Sequence, residues 1–447
     1  MSQSAILANF NISELNPMQI AVQEAFSLKE DITLISPTGS GKTLAFLFPL
    51  LAKLNENTLS KNNEIKIQPL LQAIIIVPTR ELALQIEMVF KKMGSTFKIN
   101  CCYGGHSVRI EENNLSETPA VLVGTPGRIA YHIRNENIKV THTQFLILDE
   151  FDKSLEAGFQ EEMSFIIQHL KHLQKRVLTS ATAIQEIPSF VKINRPNLLD
   201  FTKGIQQPLT SLSLKYVRVI GDDKLEALML LLGTLKDKSA IVFCNHRDAV
   251  NRISDQLYKH KIAHGFYHGG LEQIDREKTL IKLRNGTTRI LITTDLASRG
   301  LDIPEIDMVV HYQLPLKEDA MIHRNGRTAR MNANGTAIFL LDEQDHLPNF
   351  LDTKPEEIVL PTSLQIPEPP IWKTLFIKAG KKDKINKMDI VGMLLQKGKL
   401  TKEELGLIEV LDHSAYAAIK ANKLKSTLIL VKDEKLKGRK VRMEEAS

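Results

Sequence analysis

The sequence predicts an α/β protein: two parallel-sheet units in tandem, followed by a small α+β domain. Short β-branched runs carry most of that expectation. DITLIS, QAIIIV, AVLVG, FLILD and RVLTS fall in the first 200 residues, and AIVFC, RILITT, MVVHY and TAIFLL come later. Apolar runs this short, separated by longer amphipathic stretches, are the pattern of strands buried on both faces and joined by helices. The pattern breaks at KGIQQPLTSL, Lys203 to Leu212, and restarts with LSLKYVRVI, which divides the first unit from the second. A second boundary is PEEIVLPTSLQIPEPP, Pro355 to Pro370, with five prolines in sixteen residues. Proline removes donors and favours extended chain, so this reads as a linker. The expected units are 1–205, 206–352, a proline-rich linker over 353–370, and a last domain over 371–447.

In that last domain TLFIKAG reads as a strand and NKMDIVGMLLQKG as a helix. LGLIEVLDHSAYAAI reads as two strands about a turn, and KGRKVRMEE supplies another. This order fits an α+β sandwich with one sheet face open. The polar stretch NENTLSKNNEIKIQP, Asn55 to Pro69, reads as a surface loop.

Charge is placed unevenly. Residues 371–447 hold 18 Lys and Arg against 10 Asp and Glu, while residues 1–370 hold 40 against 42. The net charge of +6 is therefore a property of the tail, and a basic surface gathers a polyanion by counterion release. No apolar run approaches the ~20 residues that span a bilayer, and the N-terminus lacks a secretion signal, so a cytoplasmic chain with no membrane partner is expected. Cys101 and Cys102 are neighbours in an apolar run and Cys244 lies in a strand-like one, which implies neither disulfides nor a metal cluster.

The most specific chemical signal is SPTGSGKT, Ser36 to Thr43, between the strand DITLIS and the helical LAFLFPLLAKL. In such a loop Gly39 and Gly41 let backbone N–H groups turn toward phosphate, with Thr38 and Ser40 between them. Lys42 reaches the β and γ phosphates, and Thr43 offers a hydroxyl to Mg²⁺. Ser36 stands where many such loops have glycine. A Mg·ATP site also needs a carboxylate on the metal and a base for the attacking water. LILDEFD supplies Asp149 and Glu150 for these roles at a strand's end. Phosphoryl transfer gathers charge on the γ oxygens, and HRNGRTAR, His323 to Arg330, provides Arg324, Arg327 and Arg330 from the second unit. ATP would then lie in a cleft between the two units.

Taken in order, these elements resemble the DEAD-box RNA helicases. SPTGSGKT resembles motif I, PTREL motif Ia, YGG the GG motif and TPGR motif Ib. SAT resembles motif III, IVFCN motif IV, TTDLASRGLDIP motif V and HRNGRTAR motif VI. The resemblance implies two tandem RecA-like parallel-sheet P-loop domains and an ATP-dependent RNA helicase, an RNA-stimulated ATPase, acting as a monomer. It implies that Gln19 in LNPMQ reads adenine and that Asp302 approaches the ribose. Asp152, Ser180, Thr182 and His323 would couple the nucleotide to the domain interface, and Arg327 and Arg330 would be the fingers on the γ phosphate. Arg80, Gly105, Thr125, Arg128, Arg276, Thr294 and Asp295 would line the RNA track. Hydroxyls, glycine amides and arginines read sugar and phosphate rather than base edges, so the core is expected to be blind to sequence.

Three departures stand out. The acid motif is DEFD, with Phe151 in place of a small residue, which should change packing more than chemistry. The short N-terminus has no aromatic well upstream of Gln19, leaving Phe10 or Ile12 as substitutes. Motif VI carries Asn325 and Ala329 where the family has isoleucine or valine and glycine.

The tail resembles the C-terminal RNA-binding domain of the DbpA-type helicases, an RRM-like fold, over Thr374 to Ser447. That implies docking on ribosomal RNA and a role in large-subunit assembly. Phe376 and Tyr416 are the candidate base stackers on the open sheet. Lys381, Lys382, Lys384, Lys387, Lys435, Lys437, Arg439 and Lys440 are candidate phosphate contacts. Trp372 reads as a packing anchor. Tethered by this domain, the core would unwind short duplexes locally. The alternatives are an ATP-gated RNA clamp that unwinds little, and a DNA-directed helicase of the same superfamily.

Overall fold

The structure, a computed structural model, describes residues 3–37, 39–59, 70–105, 108–182, 186–193, 196–202, 212–219, 224–298, 301, 303–328, 335–351 and 353–446. The chain forms two compact units, residues 1–208 with 300–302, and the remainder.

The first unit is built on seven parallel strands: β1 (Ile32–Ile35), β2 (Ala73–Ile76), β3 (Ile99–Cys102), β4 (Val121–Gly124), β5 (Phe145–Leu148), β6 (Lys175–Ser180) and β7 (Asn197–Asp200). Their order is β3-β4-β2-β5-β6-β1-β7. All of β1, β2, β4 and β5 is buried, because helices cover both faces. Successive residues of a strand point to opposite faces. Thus Ile75 and Val123 pack with Phe46 and Leu50 of the helix Lys42–Leu59 and with Ile86 and Phe90 of the helix Arg80–Lys92. Ile74 and Leu122 pack with Ile129 of the helix Pro126–Arg134 and with Met163 and Ile166 of the helix Gln160–His169. The helix Lys42–Leu59 runs through residues 55–59, so that part of the expected loop is helical.

The second unit repeats the plan with β8 (Leu212–Arg218), β9 (Ala240–Phe243), β10 (Gly265–Tyr267), β11 (Ile290–Thr293), β12 (Met308–His311), β13 (Gly335–Leu341) and β14 (Glu356–Glu357), parallel and in the order β10-β11-β9-β12-β13-β8-β14. β14 lies inside the expected linker, which is laid on the unit rather than hung from it. Ile358 donates its N–H to the Tyr216 carbonyl at 2.9 Å, and Ile358 and Leu360 pack against the core. The backbone at Gln365 passes so close to Gly233 that a Cβ there would lie 2.4 Å from the Gln365 carbonyl oxygen. Arg289 donates to the Glu368 carbonyl.

Within the same unit the last domain forms a four-stranded antiparallel sheet in the order Leu405–Val410, Ala415–Lys420, Trp372–Ile377, Met443–Glu445. With the helices Lys387–Gln396 and Ala421–Val431 the chain order is βαββαβ, the split βαβ arrangement of RRM-like folds. Leu375, Ile377, Ala417 and Ile419 face the helices, where Ile390, Leu394 and Leu424 complete the core.

The other sheet face carries Phe376 and Tyr416, paired across the strands with ring centroids 5.3 Å apart. It is not open: Tyr416 is 4% exposed and packs with Ile281 of the helix Gln273–Arg284, with Phe376 and Ala446 beside it. Arg284 grips Glu409 through Nε at 2.8 Å and Nη2 at 2.7 Å. Asn285 Nδ2 donates to Thr374 Oγ1 at 2.9 Å, and Lys420 Nζ lies 4.4 Å over the Trp372 ring, which abuts Gly286 and Gly406. The aromatics lie on the expected face, but the preceding domain already stacks on them, so in this arrangement they are not a base platform.

Candidate active site

In the first unit the sheet order sorts the site residues. Apart from Gln19, which precedes β1, the nucleotide candidates follow β1, β5 and β6, which are adjacent, and RNA candidates follow β2, β3 and β4, which are also adjacent. Both groups therefore lie at the carboxyl ends of the strands, where open α/β sheets bind ligands, and each takes its own half of that edge.

In the nucleotide half, Asn16 caps the helix Pro17–Phe26. Gln19 N–H donates to Asn16 Oδ1 at 2.9 Å, and Asn16 N–H donates to Gln19 Oε1 at 3.0 Å, a reciprocal capping box. The same side chains hold the phosphate loop, Asn16 Nδ2 donating to Ser40 O at 3.0 Å and Gln19 Nε2 to Gly41 O at 3.3 Å. Gly41 has φ of +90°, and a Cβ would meet Gln19 Nε2 at 2.7 Å, so only glycine fits. Ser36, the departure at the loop's start, donates its hydroxyl to Ser40 Oγ at 2.7 Å.

Lys42 opens the following helix, with Nζ donating to Ser36 O at 2.5 Å and Pro37 O at 3.0 Å, and Thr43 stands next on that helix. Burial lowers the Lys42 pKa, opposed by the charges of Asp149, Glu150 and Asp152. Burial likewise raises that of Asp149, opposed by the Thr179 hydroxyl it accepts and by Lys42. Glu150 sits in the left-handed region at φ 49°, a costly conformation for a non-glycine residue, and its N–H donates to Thr179 Oγ1 at 3.2 Å. Asp152 lies 3.2 Å from Lys153 Nζ. Phe151 is fully buried with Leu148 and Leu178, so the residue that distinguishes DEFD belongs to the core of the unit. Ser180 Oγ donates to Thr182 O at 2.7 Å and accepts from Thr182 N at 3.2 Å. Phe10 packs on the unit's core beneath Lys92, 4.8 Å from its ring. Thr38 lies outside the described residues.

In the RNA half, Arg80 begins its helix after the cap Thr79 and donates Nη1 to Gly104 O at 3.3 Å. Gly105 has φ of +96°, and a Cβ would lie 2.5 Å from that Nη1, so glycine makes room for the guanidinium. Thr125 caps the helix Pro126–Arg134 without using its hydroxyl, and its N–H donates to Cys102 O at 3.0 Å. Arg128 Nε donates to Tyr103 O at 3.4 Å and lies 3.0 Å from Glu111 Oε2.

In the second unit Arg324 is wholly buried. Its Nε and Nη2 donate to the Asp295 carboxylate at 2.6 and 3.1 Å, Nη1 to Gln313 O at 2.8 Å and Nη2 to Asn245 Oδ1 at 2.7 Å. One arginine thus ties together the loops after β9, β11 and β12. His323 and Arg327 are also buried, and the Arg327 carbonyl accepts from Ile306 N at 3.1 Å. Thr294 is half-buried. Asp295 and Arg276, expected on the RNA track, have structural partners: Asp295 holds Arg324, and the buried Arg276 donates Nη2 to Tyr267 Oη at 3.0 Å. Asp302 and Arg330 lie outside the described residues.

In the last domain the candidate cations meet at one rim. Lys381, Lys382 and Lys384 follow the first strand, and the hairpin of residues 435–440 comes beside them, with Lys437 Nζ donating to Lys384 O at 2.9 Å and Arg439 3.7 Å from Asp383. Ile385 and Leu436 from these segments enter the helix-side core, away from the face that bears Tyr416.

Sequence reasoning missed Glu111, His132 and Gln313 as organisers, because none stands in a spacing that announces chemistry, and it gave Asn245, the end of IVFCN, no role of its own.

Comparisons with known proteins give the family. Residues 16–190 match the DEAD/DEAH box helicase family, residues 223–332 the helicase conserved C-terminal domain, and residues 374–445 the DbpA RNA binding domain. The ATP-dependent RNA helicase DbpA of Bacillus subtilis is 29% identical over 99% of this chain and 96% of its own. The ATP-dependent RNA helicase eIF4A of Emericella nidulans is 34% identical over 73% of this chain and 82% of its own. The fold is shared with S. cerevisiae Dbp5 bound to RNA and ADP BeF3, at TM-score 0.68 and 24% identity over 80% of this chain and 94% of that one. Mss116 bound to ssRNA and UDP-BeF gives TM-score 0.68 at 23% identity over 77% and 73%. With strand ends, motifs and relatives in agreement, the chain belongs to the DEAD-box family of ATP-dependent RNA helicases.

Proposed function

We propose that this helicase uses Mg·ATP to open short duplexes in ribosomal RNA during large-subunit assembly, working in the cytoplasm as a monomer. The observation that carries the reading is the shared strand-end edge of the first unit, phosphate loop and acids on one half, backbone-reading groups on the other. Asp149 and Thr43 present the hard oxygen donors that Mg²⁺ takes, and a bound Mg²⁺ would neutralise charge on the β and γ phosphates. Lys42 exchanges its loop carbonyls for phosphate oxygens, with Thr38 to Gly41 donating from the backbone. Gln19 orients adenine, Asp302 the ribose, and Glu150 accepts the proton of the attacking water. Arg327 and Arg330 stabilise the departing γ phosphoryl group. Asp152, Ser180, Thr182 and His323 relay the nucleotide state.

Arg80, Gly105, Thr125 and Arg128 hold the sugar–phosphate backbone, with Arg276, Thr294 and Asp295 serving the same strand. In the last domain the basic rim of Lys381, Lys382, Lys384, Lys437 and Arg439 grips RNA, while Phe376 and Tyr416 serve the domain contact. The test is strand displacement and RNA-stimulated hydrolysis on duplexes carrying fragments of large-subunit ribosomal RNA or unrelated RNA, with the intact chain and with 371–447 removed. The intact chain should prefer one ribosomal fragment, and the truncated chain should hydrolyse ATP without preference. Equal stimulation of the intact chain by every RNA would refute the ribosomal assignment, and duplexes left intact at saturating ATP would favour a clamp.

A further inference from the structure

We propose that Glu111 is the positioning residue of the RNA-binding edge in the first unit, an inference that rests on assigning RNA to that edge. Its side chain is fully buried, in the helix Val108–Leu115, and receives donors from two other segments. Tyr103 N–H, in the loop after β3, donates to Oε1 at 2.8 Å. Arg128 Nε lies 3.0 Å and His132 Nε2 2.7 Å from Oε2, both from the helix after β4. Asn137 Nδ2 donates to His132 Nδ1 at 3.1 Å, which leaves the ring's Nε2 to carry the hydrogen that Glu111 accepts. Arg128 Nε also reaches Tyr103 O, so the loop, the acid and the arginine close on one another.

The connection matters because both tethered pieces belong to the RNA edge. Tyr103 is joined directly to Gly104, whose carbonyl holds Arg80, and then to Gly105. Two adjacent glycines restrain the backbone weakly, so their amides keep their aim only if a neighbour anchors them. Arg128 is gripped at Nε and stays 14% exposed. Glu111 therefore fixes the distance between the glycine amides and the Arg128 guanidinium before RNA arrives. Ordering done in advance lowers the cost of binding. A carboxylate buried so completely needs charge-assisted donors, and Tyr103, Arg128 and His132 supply them. Cys102 Sγ, Glu111 and His132 place donor atoms within 4.8 Å of one another, a spacing that would also suit a metal. The Arg128 guanidinium on the same carboxylate oxygen opposes a second cation there.

The test uses the full chain, ATP and single-stranded poly(A) RNA, with Glu111→Gln and Glu111→Ala. Glutamine keeps the volume and an acceptor for Tyr103 N–H but loses the charge that holds Arg128. The half-saturating RNA concentration should rise about tenfold in Glu111→Gln and further in Glu111→Ala, the scale of a lost charge-assisted contact. Turnover at saturating RNA and affinity for fluorescent ADP should stay within about twofold of the parent, a split that general damage to the fold would not produce. Should the alanine variant fail to fold, the glutamine variant decides alone. Unchanged RNA saturation, or a parallel loss of ADP affinity, would overturn the role of Glu111. Arg80→Ala separates the two levels: if it too leaves RNA saturation unchanged, the RNA-edge reading fails and the inference with it. If Arg80→Ala weakens RNA while the Glu111 variants do not, the inference alone fails.

Discussion

Arg324→Ala should destabilise the second unit severely, although this arginine stands in the same short segment as those assigned to catalysis. Four donor contacts at 2.6 to 3.1 Å disappear together: two to Asp295, one to the Gln313 carbonyl and one to Asn245. Breaking a buried ion pair by deleting one partner costs roughly 3 to 5 kcal/mol. Asp295 is 36% exposed, so water recovers part of its solvation and the lower end applies. Loss of the guanidinium packed 5.3 Å over the Phe243 ring adds to the damage. With a slope of about 2 kcal/mol per molar urea, a cost of about 3 kcal/mol moves the unfolding midpoint down by roughly 1.5 M. The sole tryptophan, Trp372, abuts Gly286, so its fluorescence reports on this unit without a label. A midpoint within about 0.3 M of the parent's would refute the assignment of Arg324 as the tie between the three loops.

Two further outcomes follow from burial. Asp149→Asn should abolish hydrolysis yet stabilise the nucleotide-free protein. Burial raises the carboxyl's pKa, so the favoured neutral form contributes fully below the ordinary carboxylate range and its benefit is lost as pH rises through the raised value. The parent–variant gap in melting temperature should be small near pH ~4 and widen toward pH ~8, and a pH-independent gap would contradict this. Ile281→Asp places a charge beneath Tyr416 and should weaken the seat of the last domain by about 3 kcal/mol. Limited proteolysis between residues 353 and 371 should then accelerate, and cleavage at the parent's rate would count against the docked arrangement.

What could be read from the sequence depended on whether partners are neighbours along the chain. The phosphate loop declares itself because its glycines, lysine and threonine must be consecutive to wrap one phosphate group. Glu111 could not be found that way, since Tyr103, Arg128 and His132 stand 8, 17 and 21 residues from it. Continuous apolar strands such as AIII in β2 were legible, whereas INCC in β3 hides a polar asparagine and the three residues of β10 are too few to show a period. NLLD in β7 is partly exposed and gives no continuous apolar run. The helix Ala421–Val431 escaped because its threonine, isoleucine and valine favour strands and no acid marks its start. In motif VI the three arginines look alike in sequence, and only burial beside Asp295 and Asn245 singles out Arg324. Phe376 and Tyr416 fell on the expected sheet face, but no local pattern could reveal that Ile281 covers it.

That covered face changes how the last domain transmits force. With Arg284 clasping Glu409, Asn285 bonded to Thr374 and the proline-rich segment pressed along Gly233, the basic rim has no leash on which to wander. The rim therefore belongs to the same compact unit as His323 and Arg327. Load applied at the rim would pass through these contacts into the helix Gln273–Arg284 and the sheet behind it, instead of being lost in a slack tether.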